Sequence, residues 1–124
     1  MRKIFLIVLL FSFFQSLAQD RNLIKERNKL KNYAFCKCLF YSDTSQKQFF
    51  INDGSSAGYF ETSTTSLIAF QKLDSLAKIF ALKKYISKEK RKLSIMKCLD
   101  FYNSKILMNK IKSMEYLIVT HHQP

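Results

Sequence analysis

Residues that break regular structure are almost absent from this 124-residue chain. It contains two glycines, Gly54 and Gly58, and one proline, Pro124, which is its last residue. A β-rich fold needs a turn every few residues, and such turns rely on glycine and proline. The sequence therefore predicts an all-α fold, a small compact helical bundle of about five to six helices.

The N-terminus has the parts of a secretory signal peptide. A positive head at residues 2–3 precedes an apolar run at residues 4–14, and small side chains lead to a cleavage site after Ala18. The run is shorter than the roughly 20 apolar residues of a membrane-spanning helix. We expect residues 1–18 to be a cleaved signal peptide and residues 19–124 to form a single helical domain outside the cytoplasm. An uncleaved membrane anchor is the alternative.

The mature chain is expected to be strongly basic. Removing Arg2 and Lys3 from the 21 Lys and Arg residues leaves 19 against 9 Asp and Glu, a charge of about +10. Such a charge favours acidic partners and accelerates encounter with them. Nucleic acid, the usual partner of a basic domain, is scarce in the cell envelope, so we expect none here. A surface of solvated lysines is the alternative interpretation.

Hydrophobic spacing and capping residues predict where the helices lie. A first helix is expected at about residues 22–41, with a mostly solvated first half. A basic connector without an apolar stripe is expected at residues 83–92, and a frayed tail at residues 121–124. The other helices are predicted at residues 44–51, 55–61 and 66–85, with a final pair that follows residue 93 and is divided by a cap at residues 103–104.

Each long helix is predicted to bury one apolar stripe. The four stripes are Leu30, Ala34, Cys38 and Tyr41; Leu73, Leu76, Ala77 and Phe80; Ile95, Cys98, Leu99 and Tyr102; and Leu107, Ile111, Met114 and Ile118.

Two of the three cysteines are expected to face the core. Cys38 and Cys98 lie on apolar stripes, whereas Cys36 is rotated by about 200° from Cys38 around the helix. After export, Cys38 and Cys98 are the better disulfide candidates, and their bridge would contribute roughly 4 kcal/mol by closing a loop of about 60 residues. Three free thiols, or a bridge through Cys36 in a distorted helix, are the alternatives.

No catalytic, cofactor-binding or metal-binding constellation is expected. The two histidines, His121 and His122, lie at the end of the chain, and the carboxylates are scattered. An enzyme needs a nucleophile, a base and a group that orients the base. Cys36 and Cys38 lack the Cys-x-x-Cys spacing of common metal and redox sites. We therefore expect a binding protein and not an enzyme, with an exported enzyme of unrecognised site as the alternative.

Three segments, taken together, resemble a known family. They are residues 32–38, residues 53–61 (Asp-Gly-Ser-Ser-Ala-Gly-Tyr-Phe-Glu) and residues 96–104 (Met-Lys-Cys-Leu-Asp-Phe-Tyr-Asn-Ser). Their order, spacing and residue types are similar to those of the type VI secretion amidase-immunity proteins. The resemblance covers roughly residues 30–112, and the additional Cys36 departs from the family's pattern, as does the strongly basic connector.

The resemblance implies a function. Members of this family are small exported all-helical proteins, commonly dimeric, that bind a peptidoglycan amidase effector and occlude its cysteine-dependent cleft. We therefore expect a cognate amidase as partner, a homodimer, a periplasmic location and no stable membrane insertion after signal cleavage. The resemblance also implies a disulfide between Cys38 and Cys98.

Two segments are expected to reach the cleft, residues 53–61 and residues 83–92. A protruding, preorganised segment can fill a cleft at a low entropic cost. For each segment a solvated loop is the alternative, and for the whole chain the alternatives are an inhibitor of a lysozyme-type hydrolase and a cationic envelope-binding protein. The residues expected to bind the partner are Asp53, Ser55, Ser56, Tyr59, Glu61, Tyr85, Ser87, Lys88 and Lys90.

Overall fold

The computed structural model describes residues 2–118, apart from the side chains of residues 2–6, 8–15, 46 and 47. Within this part of the chain there are six α-helices, two isolated bridges and no extended strand, so the all-α prediction is confirmed. The helices are α1 (Arg2–Ser42), α2 (Lys47–Asn52), α3 (Ser55–Glu61), α4 (Leu67–Ala81), α5 (Ser94–Tyr102) and α6 (Lys105–Ser113), and 3-10 turns lie at Thr44–Gln46 and Glu115–Leu117.

Helix α1 is the central element, against which α3, α4 and α5 pack. It is continuous from Arg2 to Ser42 because this stretch contains no glycine or proline to interrupt it. The predicted start at residue 22 is therefore wrong, whereas the predicted end at Tyr41 agrees within one residue. Cleavage after Ala18 stays a prediction. In the described part of the chain, no helix is both long and apolar enough to cross a membrane.

The hydrophobic core forms where one stripe of α1 meets α4, α5 and α6. Leu30, Ala34 and Cys38 are fully buried at a four-residue spacing, which is the spacing of one helix face. The facing residues are Ala69, Phe70, Leu73, Ala77 and Phe80 on α4, Cys98 and Phe101 on α5, and Leu107, Ile111 and Met114 at α6.

A disulfide joins Cys38 of α1 to Cys98 of α5, as predicted. The S–S distance is 2.09 Å, the Cα atoms are 5.6 Å apart, and both residues are fully buried. Cys36 is a free, half-buried thiol outside the core. Burial raises the pKa of the Cys36 thiol, and the negative charge of Asp53 raises it further.

Helix α4 ends at Ala81, so the predicted extension to about residue 85 is wrong. The ammonium group of Lys97 donates hydrogen bonds to the carbonyl oxygens of Ala81 at 2.6 Å and Lys83 at 3.1 Å. These contacts satisfy carbonyl groups at the end of the helix, where a positive charge is favoured by the helix dipole. The start is as predicted, because Ser66 accepts a hydrogen bond from the Ile68 N–H at 3.4 Å.

The predicted apolar stripe of α5 is partly wrong. Cys98 is buried, but Ile95 is 66% exposed and Leu99 is 46% exposed. The helix instead buries Phe101, whose ring stacks on Phe80 with centroids 4.8 Å apart. A nine-residue helix has few apolar positions from which its buried face can be predicted. In α5, the disulfide at Cys98 and the contact between Phe101 and Phe80 determine which face is buried.

The stripe predicted for α6 and the turn after it is confirmed. Leu107, Ile111, Met114 and Ile118 are all buried. Ser104 caps the helix by accepting the Leu107 N–H at 3.1 Å, as its position before the apolar pattern indicated. The expected frayed tail, residues 121–124, lies outside the described residues.

Candidate partner-binding surface

The connector between α4 and α5 is a closed hairpin, here called the basic hairpin (residues 83–92). The Leu93 N–H donates to the Tyr85 carbonyl at 3.1 Å, and the Ser87 N–H donates to the Arg91 carbonyl at 2.9 Å. An antiparallel bridge pairs Ile86 with Lys92. These cross-strand contacts hold the two arms of the connector together.

The tip of the basic hairpin is fixed by Ser87. Its carbonyl accepts the Lys90 N–H at 2.9 Å, and its hydroxyl accepts the Arg91 N–H at 3.0 Å. Lys90 has a φ of 61°, a left-handed conformation that allows the chain to reverse here. The tip is therefore a defined turn and not an open loop.

The two ends of the basic hairpin are anchored to the core. Lys97, only 6% exposed, contacts the Ala81 and Lys83 carbonyl groups at the first end. Burial lowers the pKa of the Lys97 ammonium, and the neighbouring charge of Lys92 lowers it further. Cys98, which follows Lys97, forms the disulfide with Cys38 of α1. This arrangement fixes the direction in which the hairpin leaves the bundle.

The basic hairpin presents a dense positive charge to solvent. It contains six Lys or Arg residues and one acid, Glu89. Lys88, Lys90 and Arg91 are exposed, and Glu89 pairs with Arg91 at 3.3 Å. Tyr85 is half-buried, and its hydrogen bond to the Asp100 carboxylate raises the pKa of the tyrosine. The surface is suited to an acidic partner.

The other predicted segment, residues 53–61, lies along α1 and contains all of α3. Asp53 precedes the helix, and its carboxylate accepts the Ser55 hydroxyl at 2.7 Å. Ser55 and Glu61 are exposed, while Ser56 and Tyr59 are half-buried. This segment is helical throughout its small-residue run, so it presents side chains and not an extended strand.

A groove of about 590 Å³ separates α3 from α4, with α1 as its floor. Ser56, Phe60, Phe70 and Asp74 are among its lining residues. The Phe60 and Phe70 rings meet edge to face, with centroids 5.0 Å apart. The groove is therefore apolar at one end and carries a carboxylate at the other.

A cluster that sequence analysis missed lies in and beside this groove. Asp74 pairs with Lys37 at 3.1 Å and accepts the Tyr41 hydroxyl at 2.7 Å. Burial and the charge of Asp74 raise the pKa values of Tyr33 and Tyr41 to about 12, so both phenols stay protonated well above neutral pH. The i, i+4, i+8 spacing of Tyr33, Lys37 and Tyr41 on one helix was the signal available in the sequence.

Glu26 holds the loop between α3 and α4, although it lies in the half of the first helix that was predicted to be mostly solvated. It is 1% exposed. One carboxylate oxygen accepts the Ser63 hydroxyl, the Thr64 N–H at 3.0 Å and the Thr65 hydroxyl at 3.1 Å. The other oxygen pairs with Lys29 at 2.8 Å. No local pattern predicts these contacts, because the loop is more than thirty residues away.

The two predicted partner-binding segments occupy different parts of the surface. Residues 53–61 pack on α1 and line the groove with α4, whereas the basic hairpin lies next to α5 and the end of α1. In the described part of the chain, no group of three or more His, Cys, Asp or Glu residues could hold a metal ion. His121 and His122 lie outside that part.

Comparison with protein-family models identifies the family of this chain. The family model of the type VI secretion system amidase immunity proteins, named Tai4, matches residues 28–111, which is more than half of the chain. No curated protein sequence matches the chain. The matched region contains the disulfide, the groove and the basic hairpin. On this evidence the chain belongs to the Tai4 family of type VI secretion system amidase immunity proteins.

Proposed function

We propose that this protein is a periplasmic immunity protein that binds a cognate type VI secretion peptidoglycan amidase and occludes its active-site cleft. The family match supports the class of partner. The basic hairpin supports the mode of binding. Occlusion requires a segment that enters a cleft, and the hairpin is the exposed segment whose shape is fixed from both ends.

The main support for this proposal is that the basic hairpin has a defined conformation in the free protein. A loop that becomes ordered on binding loses conformational entropy, which reduces the free energy left for affinity. Here the Leu93–Tyr85 and Ser87–Arg91 hydrogen bonds already define the hairpin in the free protein. A preordered, positively charged segment also accelerates encounter with an acidic cleft.

The protein is proposed to act by binding alone, without turnover. Its charged clusters have structural partners: Glu26 holds a loop, Lys97 ends a helix, and Asp74 pairs with Lys37. Each group is engaged in contacts that stabilise the fold, which is the ordinary role of buried polar groups. Periplasmic location follows from the predicted signal peptide, and homodimer formation from the family resemblance.

Protection of a bacterial host tests location and function together. The proposed cognate amidase is directed to the periplasm of a host that lacks both proteins, and lysis is followed by optical density. Co-expression of the full-length chain is expected to prevent lysis. The matched control lacks residues 2–18 and is retained in the cytoplasm, so it is expected to give no protection.

Two outcomes would contradict the proposal. Lysis despite a normal periplasmic level of the full-length chain would show that it does not neutralise this amidase. Equal protection by the cytoplasmic control would show that the periplasmic location is wrong. Inhibition of a lysozyme in place of the amidase, in a turbidity assay, would instead support the lysozyme-type alternative.

A further inference from the structure

One face of α5 is apolar but remains uncovered by the fold. Ile95 is 66% exposed, Met96 is 54% exposed and Leu99 is 46% exposed. Leu99 lies between Ile95 and Met96 around the helix, within an arc of about 100°, so the three side chains are neighbours on the surface. The sequence pattern assigned two of them to the core, and the structure leaves them in solvent.

The patch forms the floor of a groove of about 600 Å³, here called the α5 groove. Leu93 extends the apolar floor towards the basic hairpin. Lys92, the last residue of the hairpin, lies on one rim, and Asp43 and Asp100 also line the groove. The groove and the hairpin are therefore neighbouring parts of one surface.

We propose that the α5 groove is a second contact site for the cognate amidase, and that it accepts an apolar side chain from a surface loop of that enzyme whose acidic residues face the basic hairpin and not the groove. This inference rests on the proposed function. Lys92 belongs to both the hairpin and the groove rim, so a partner seated on the hairpin lies against the groove. Exposed apolar patches with polar rims are typical of protein-binding sites.

The positive charge of the basic hairpin favours the amidase over a second copy of this chain as the partner at the α5 groove. A two-fold contact places the same patch of each copy against the other. A two-fold contact that includes the hairpins as well as the grooves would bring together two segments, each with six Lys or Arg residues and one Glu. Such like charges repel at close range, whereas an acidic partner is attracted by the same hairpin.

The test compares two isoleucines that occupy equivalent positions in their helices. Ile95 is the second residue of α5, and Ile68 is the second residue of α4 and is 50% exposed. Ile95→Ser and Ile68→Ser are measured for binding to the proposed cognate amidase by calorimetry at physiological salt. Circular dichroism is used to check that both variants are folded. Leu99→Ser, a second substitution in the α5 groove, is measured in the same way.

Ile95→Ser is expected to raise the Kd by about tenfold, since burial of most of an isoleucine side chain is lost. The salt dependence of Kd stays unchanged, because no charge is removed. Ile68→Ser is expected to change Kd by less than about twofold. Leu99→Ser is expected to raise the Kd in the same way as Ile95→Ser.

Three results would overturn this inference. Equal Kd values for Ile95→Ser and Ile68→Ser would show that the groove makes no specific contact. A loss of self-association by Ile95→Ser, with unchanged amidase affinity, would assign the groove to a second copy. If the wild-type chain does not bind the amidase, the proposed function itself is wrong. If the wild-type chain and both variants bind equally well, the proposed function stands and only the groove contact is wrong.

Discussion

Replacement of Glu26 by glutamine tests whether a buried charge holds the loop between α3 and α4. The carboxylate is 1% exposed and accepts hydrogen bonds from Ser63, Thr64 and Thr65 on one oxygen, while the other pairs with Lys29. Glutamine keeps the shape of the side chain. However, it is neutral, and its amide nitrogen is a donor that cannot accept from Lys29.

The expected loss follows from these contacts. A hydrogen bond to a charged group contributes about 1.5–3 kcal/mol, and a neutral one about 1 kcal/mol. Glu26→Gln weakens three bonds and removes the Lys29 contact, but Lys29 also donates to the Thr62 carbonyl and keeps one partner. We expect a loss of about 3 kcal/mol, close to the lower limit for breaking a buried ion pair. For a domain of this size, that lowers Tm by roughly 12–24 °C.

The pH dependence supplies the second part of this prediction. Burial raises the pKa of Glu26, but the hydrogen bonds from Lys29, Ser63 and Thr64 outweigh it, so the folded pKa lies below the ordinary 4.5. The carboxylate therefore stabilises the fold fully above its unfolded pKa. That contribution is lost as pH falls through the lower folded pKa. The stability difference between wild type and Glu26→Gln should shrink on acidification below pH 4.5.

Urea unfolding followed by far-ultraviolet circular dichroism measures both effects, at pH 7 and in steps down to pH 3. Glu61→Gln is the matched control, because it removes the same charge from an exposed position. It is expected to change the unfolding free energy by less than about 0.5 kcal/mol. Equal losses in the two variants at pH 7, or a difference that does not shrink at low pH, would refute the reasoning.

Two further predictions concern the disulfide and the charge of the hairpin. Joint replacement of Cys38 and Cys98 by alanine should lower the unfolding free energy by about 4 kcal/mol, because the bridge closes a 60-residue separation; urea unfolding should show a much smaller loss for Cys36→Ala. The double charge reversal Lys88→Glu and Lys90→Glu should weaken amidase binding and reduce its salt dependence in calorimetry. An unchanged affinity at low salt would remove the basic hairpin from the interface.

Local patterns predicted the helices well where two independent signals agreed. At α6, a serine cap at Ser104 precedes an apolar stripe that continues through Ile118, and both are present in the structure. Leu30, Ala34 and Cys38 of the predicted α1 stripe are buried, whereas Tyr41 is only half-buried, and the disulfide partners Cys38 and Cys98 were predicted correctly. In α1 and α6, the side chains that define the buried face recur over at least two helical turns.

Contacts between distant segments were not predictable from the same patterns. Glu26 lies within a basic stretch and Lys97 is the one basic residue of α5, and solvent exposure is the ordinary expectation for both charged side chains. Both are buried because they satisfy backbone or hydroxyl groups that lie far along the chain or at the end of another helix. The contact roles assigned to residues 53–61 and 83–92 remain predictions about a partner.

Titration of amidase activity with the purified chain tests the central claim most directly. The proposed cognate amidase is assayed on soluble peptidoglycan fragments, and product release is measured as the chain is added up to an excess. The account predicts that cleavage falls to background once each amidase molecule has one protomer available. Undiminished cleavage in the presence of excess folded, disulfide-bonded protein would contradict it.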